Sequence, residues 1–227
     1  HLVLRRQRQM CIRDRSKPAR PLTLILGGAK IDTKINLIDY YIGIADKILI
    51  GGGMAFTLLK ARGIDVGESI VDQSKISSAS KLINKAKSKK NLFLPKDVVC
   101  SKSIENGLKH NIYDVTEIPF DEMALDIGPK TIESFSKHIV DSKTVVWNGP
   151  MGVFESNFFD KGTKEIASQI ASCTEKGLIS IMGGGDTASA LRKFNLDNKM
   201  THLSTGGGAS IELLSGKNLP AIFALEV

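Results

Sequence analysis

The chain has 227 residues, 42% of them hydrophobic and 24% charged, with a formal net charge of +7. That size and balance suit one or two packed domains, and no apolar run reaches the 18 residues a membrane-spanning helix needs. Three cysteines, Cys11, Cys100 and Cys173, match neither a disulfide framework nor a zinc site and point to a reducing compartment. The charge is local. Residues 1–20 hold six arginines and Lys17 against one acid, Asp14, and so carry +6 of the +7. The rest of the chain is nearly neutral and has no field to steer toward a polyanion, so no nucleic-acid partner is expected.

Residues 1–16, HLVLRRQRQMCIRDRS, have no clear period and no turn punctuation. A basic nucleic-acid arm and a targeting peptide are alternatives, with Asp14 and the scarcity of serine against the second. The string QRQMCIRDR resembles translated sequencing-adaptor sequence. The segment is therefore expected to be non-native and is set apart from the fold.

From Pro21 short apolar runs alternate with helical segments. Residues 22–26 form the first run, ending at Gly27 and Gly28, and a helical segment follows to about Ile42. Residues 47–50 form the second, ending at Gly51-Gly52-Gly53, with a helix predicted over 54–61. Residues 74–88 have helical composition, with Ala79, Leu82, Ile83 and Ala86 spaced for one face. Residues 91–94, 144–147, 178–182 and 202–204 complete six runs; the last three end at Asn148-Gly149-Pro150, Gly183-Gly184-Gly185 and Thr205-Gly206-Gly207-Gly208. Short, continuously apolar strands between helices are buried on both faces. The expected fold is α/β, a Rossmann-like three-layer sandwich with a parallel sheet of about six strands, residues 17–227 forming one domain. The glycines then fall at the carboxyl edge of the sheet, where open α/β folds bind ligands.

Glycine-rich corners that feed helices aim backbone N–H groups and a dipole end at an anion; each can also be plain close packing of strand and helix. Neither GxxxxGK[ST] nor GxGxxG after a strand is present, which excludes a P-loop and weakens a dehydrogenase-type dinucleotide reading. Lys30 and Lys34 are spaced to share a helical face beside Gly28, where an anion would offset their unfavourable position near a helix N-terminus. Asp186 is either a helix N-cap or a Mg²⁺ contact beside a phosphate chain, with Thr187 offering a hydroxyl and an N–H to phosphate oxygens. In the stretch 147–155, Val153 and Phe154 are placed to flank a base and Glu155 to accept from ribose hydroxyls; Trp147 alone reads as core.

Together the strings LGGAKIDTKI, IGGGMAFTLLKARG, LDIGPKT, VVWNGPMGVFE, KGTKEIA, GGGDTASA and HLSTGGGASIELLSGKNLP closely resemble phosphoglycerate kinase, specifically its C-terminal, nucleotide-binding domain. The resemblance covers essentially all of residues 20–227. It implies reversible phosphoryl transfer between 1,3-bisphosphoglycerate and ADP, giving 3-phosphoglycerate and Mg-ATP, by a cytoplasmic glycolytic monomer. It implies that Lys30 and Lys34 lie near the transferring phosphoryl group and that Lys34 contacts the nucleotide phosphates. By the same token Gly52 and Gly53 form the turn beside the adenine, and Asn148, Pro150 and Val153 belong to the nucleotide cleft. Glu155 matches the ribose contact. Gly184, Gly185, Asp186 and Thr187 match the Mg-nucleotide corner, with Asp186 the metal carboxylate. Gly207 and Gly208 match the helix N-terminus facing the phosphoryl group. The family's N-terminal domain, with its phosphoglycerate site and catalytic arginine, has no counterpart in this chain, so the fragment alone is expected to be inactive. Its last ten or so residues are expected to pack on that domain. Ala124 departs from a usual glycine and Glu122 from a common aromatic.

Overall fold

The computed structural model describes residues 18–105 and 107–204. Residues 1–16, the C-terminal tail, Gly207 and Gly208 lie outside the described residues.

Six parallel strands form the main sheet in the order β3-β2-β1-β7-β8-β9. They are β1 (Leu22–Leu26), β2 (Lys47–Ile50), β3 (Leu92–Phe93), β7 (Thr144–Asn148), β8 (Ile179–Gly183) and β9 (His202–Ser204). The predicted runs match these spans to within one or two residues. Strand order runs outward in both directions from β1 and β7, so the chain reverses its winding between those two neighbours. That is the place where an open α/β sheet leaves a crevice at its carboxyl edge.

Each central strand serves two cores because successive side chains point to opposite faces. Leu24, Leu26, Ile48, Ile50 and Val146 pack with helices α1 (Ile35–Ile42), α2 (Met54–Ala61) and α3 (Ile76–Lys89). Ile25, Leu49, Val145 and Trp147 pack on the other face with α4 (Pro129–Val140), α5 (Lys161–Glu175) and α6 (Gly185–Lys193). The three layers predicted from the alternation are therefore present. Among the described residues no helix is long and apolar enough to cross a membrane.

Two features were not in the sequence expectation. A second, antiparallel sheet, ordered β5-β4-β6, is built from β4 (Asp97–Ser101), β5 (Asn111–Asp114) and β6 (Met123–Ile127). It packs Val98 and Cys100 against Phe56 and Leu59 of α2, which is buried on two sides as a result. The other is the start of α1. Lys30 and Lys34 do not share a helical face: residues 31–34 form a turn, closed by Lys34 N–H donating to Ile31 O at 2.9 Å, and the helix begins at Ile35. Ile31, 1% exposed, is drawn into the core beneath this turn, and Lys34 stands at the N-cap.

Asp97 joins the small sheet to helix α4. Its buried carboxylate accepts N–H bonds from Lys130 (2.9 Å) and Thr131 (2.7 Å) and the Thr131 hydroxyl (2.7 Å), and so fills the N-terminus of α4 from another element. Asp97→Ala removes a helix cap and strands buried donors; we expect a loss of roughly 2–3 kcal/mol in a urea melt, with an unchanged m-value.

Candidate functional site

The carboxyl ends of β1 and β7 are tied together by backbone bonds from Gly27 N to Asn148 O (3.0 Å) and from Gly28 N to Pro150 O (2.7 Å). The β2 corner joins them through Gly52 N to Met151 O (2.9 Å) and Met54 N to Gly28 O (2.9 Å). Gly52 has φ +64, and a Cβ there would collide with the backbone of Gly28 and Pro150. Three glycine corners thus converge because the backbones approach too closely for side chains.

Beside this junction lies a cleft of about 240 Å³. Gly28, Gly52, Gly53, Pro150, Val153, Glu155 and Asp186 all line it. One apolar wall comes from Phe56, Ile70, Ile104 and Ala124, and Phe154 closes another side. Of the predicted residues, Gly52, Gly53, Pro150, Val153, Glu155 and Asp186 therefore share one cavity. Lys34, Asn148 and Thr187 sit behind its wall, whereas Lys30 is exposed and is not among the lining residues. Gly184 and Gly185 form the corner that starts α6, Gly184 as its N-cap.

Lys34 is buried, 7% exposed. Its ammonium donates to Gly27 O and, at 3.3 Å, to Asn148 O. Burial pulls its pKa down to about 8, while the Asp186 carboxylate pulls the other way. The chain thus holds a cation among carbonyl dipoles, with no carboxylate of the described residues in contact. Asp186 is exposed in the first turn of α6, whose cap is Gly184 without any side-chain bond; the plain N-cap reading of Asp186 is not what forms.

Asn148 and Thr187 are braces. Asn148 Nδ2 donates to Gly183 O (2.9 Å); the Thr187 hydroxyl donates to the same carbonyl (2.9 Å) and accepts from Gly149 N (2.7 Å). The sequence offers the Thr187 hydroxyl to phosphate oxygens; here Thr187 is fully buried and its hydroxyl is engaged with Gly183 O and Gly149 N. Trp147 is core, as expected, and its indole N–H fixes Gly149 O at 2.7 Å.

Against this geometry the comparisons with known proteins are specific. The profile of one protein family, described as Phosphoglycerate kinase, matches residues 3–217. The chain belongs to the phosphoglycerate kinase family. The match begins inside the opening segment 1–16. The phosphoglycerate kinase of Thermosipho africanus is 49% identical over 212 residues, 92% of this chain and 53% of that protein. That of Chlorobium phaeobacteroides is 50% identical over 212 residues, 93% and 53%. The solved phosphoglycerate kinase of Coxiella burnetii superposes with a TM-score of 0.92 at 38% identity, over 98% of this chain and 57% of that one. The chain spans about half the length of the curated relatives it matches.

One polar group of this cleft is not marked by any motif in the sequence. Asp126, on β6, lines the cavity and is 3% exposed. Its carboxyl accepts from Gly162 N (2.6 Å) and Ile127 N (2.9 Å). Burial pushes its pKa up to about 8 despite those two bonds. The only sequence signal was an acid inside an apolar strand. Its folded pKa lies above the ordinary value of 3.8, so its stabilising contribution is complete below about pH 4 and is lost as pH rises through 8. In denaturant melts at pH 5 and pH 8.5, the wild-type chain should lose more stability than Asp126→Asn, by a few kcal/mol on the scale of about 1.4 per pKa unit. Parallel pH profiles would contradict the assignment.

Proposed function

We propose that this chain supplies the Mg-ADP/ATP site of a phosphoglycerate kinase and corresponds to that enzyme's C-terminal, nucleotide-binding domain. The reading is carried by Lys34: a buried ammonium held, among the described residues, by carbonyl oxygens, behind a cleft at the winding reversal of the sheet. Among the described residues such a cation has no carboxylate in contact, only the more distant charge of Asp186, and a phosphate chain in the cleft supplies the missing counter-charge.

The residues fit the nucleotide in outline. Gly52, Gly53, Phe56, Ile70, Ile104 and Val153 offer a narrow apolar slot for a base, and Glu155 a carboxylate for ribose hydroxyls. Asp186, exposed at the start of α6, is placed to hold Mg²⁺, which a site of this kind binds through one or two carboxylates plus substrate phosphates. Mg²⁺ there neutralises phosphate charge. Lys34 orients the phosphates and offsets charge that builds up as the phosphoryl group moves. The tight corners exclude water and fix the donors before the ligand arrives. Lys30, exposed, acts at the outer end of the phosphate chain, and Gly207 and Gly208 are proposed to serve the transferring phosphoryl group.

The reaction is the reversible transfer of a phosphoryl group between 1,3-bisphosphoglycerate and ADP. Phosphoglycerate positioning is proposed to come from an N-terminal domain outside this sequence. On that reading the isolated chain binds nucleotide as a cytoplasmic monomer and turns over no substrate, because transfer requires both reactants held in line.

Calorimetry on the full chain tests the site. Mg-ADP should bind with a Kd between micromolar and millimolar, roughly 4–8 kcal/mol. Asp186→Asn should weaken Mg-ADP binding about tenfold more than metal-free ADP binding, since it removes a charged metal ligand. Equal losses with and without Mg²⁺ would reject the metal role; no heat from folded wild-type chain would reject the site.

A further inference from the structure

An ammonium has three N–H donors, and all three of Lys193 end on one loop. Lys193 Nζ donates to Phe154 O at 2.7 Å, to Asn157 Oδ1 at 2.9 Å and to Asp160 Oδ2 at 2.9 Å. Most surface lysine–carboxylate pairs contribute little, because they hold two long side chains for one contact. Here one donor group gathers acceptors spaced three residues apart, two of them side chains and one a backbone carbonyl. Short turns also close the loop, Ser156 N to Val153 O and Phe159 N to Ser156 O, both 3.1 Å, and the buried Phe159 ring anchors its far part beside His110.

Lys193 is the last residue of α6, and Asp186 lies in the first turn of the same helix. In that first turn Thr187 accepts from Gly149 N. Helix α6 therefore grips the segment 149–160 at both ends. Phe154, held by Lys193, and its neighbour Glu155 line the same cleft as Asp186. Thr187 and Lys193 stand six residues apart on α6, a rigid spacer of about 9 Å at 1.5 Å per residue, so the two grips fix how far the Glu155 wall stands from the Asp186 wall.

We infer that Lys193 is a positioning residue for nucleotide binding: it clamps the loop of residues 154–160 to the end of α6 and so holds the base-and-ribose wall at the right distance from the phosphate corner. This rests on the nucleotide reading of the cleft. It makes a division that a merely structural lysine would not. Loss of the clamp loosens the base-and-ribose wall and leaves the Lys34 and Asp186 corner, braced by Asn148 and Thr187, in place.

The test uses the full chain, wild type, Lys193→Met and Lys193→Arg, with adenosine, Mg-tripolyphosphate and Mg-ADP as separate calorimetric probes. Lys193→Met should weaken adenosine and Mg-ADP by the same factor, about tenfold, the scale of a small displacement of binding groups. Mg-tripolyphosphate should bind as to wild type, and Lys193→Arg should recover most of the loss. Hydrogen exchange gives a readout independent of ligand: amides of residues 153–160 should exchange faster in Lys193→Met, with those inside α5 and α6 unchanged. A lower melting temperature with all three affinities intact, or equal weakening of tripolyphosphate, would overturn the inference. If wild type binds none of the three probes, the nucleotide reading fails; unchanged exchange in residues 153–160 would then overturn the clamp as well.

Discussion

The burial of the Lys34 ammonium between the ends of two strands is the constraint on which the site's architecture turns. Removing a cation from water costs several kcal/mol unless dipoles or charges replace the lost hydration. Here Gly27 O, just past β1, and Asn148 O, the last residue of β7, supply the replacement. Those two carbonyls meet only because β1 and β7 are parallel neighbours in register, Leu26 opposite Asn148, at the point where winding reverses. The backbone must also crowd around the ammonium. Gly149, at φ +91, leaves no room for a Cβ beside Lys34 Nζ. The carbonyls and the more distant Asp186 charge leave the ammonium under-compensated for its lost hydration, and burial pulls its pKa down to about 8.

The surrounding residues keep that arrangement rigid. Loop 149–153 is fixed from several sides: by Trp147 Nε1 on Gly149 O, by Thr187 on Gly149 N, by Thr163 on Met151 N at 3.0 Å, and by Leu125 O on Val153 N at 2.8 Å. Each brace comes from a different element, so the loop is over-determined although it has no regular structure. Buried Asp126 adds a polar anchor from β6 to the start of α5. A site held this way loses little ordering entropy when a ligand enters.

Much of this was legible in the sequence, for identifiable reasons. Strands buried on both faces cannot hide among amphipathic helices, and the glycine clusters after 26, 50 and 183 mark their ends. The cleft residues followed from those corners, since the corners must share the sheet's carboxyl edge. Three things were not legible. Residues 29–34 have helical composition, yet Ile31 is pulled into the core and the helix starts at Ile35. The small antiparallel sheet carries Asp97 and Asp126 in its strands and a register shift between Val99 and Cys100, which break the alternation a reader would seek. And the roles of Asp126 and Thr187 depend on partners more than 30 residues away, Gly162 and Gly149, which no local pattern reveals.

The central claim is that Lys34 is a buried cation awaiting a phosphate. The most direct measurement is a pH titration of its side chain by NMR, on chain labelled with ¹³C at lysine Cε and assigned through Lys34→Met, with and without Mg-ADP. The account predicts a midpoint near 8 in the free chain, well below the ordinary 10.5, and a rise in that midpoint when Mg-ADP is added, because an anion beside the ammonium favours its charged form. A midpoint near 10.5 in the free chain, or one that Mg-ADP leaves unmoved at saturation, would contradict it.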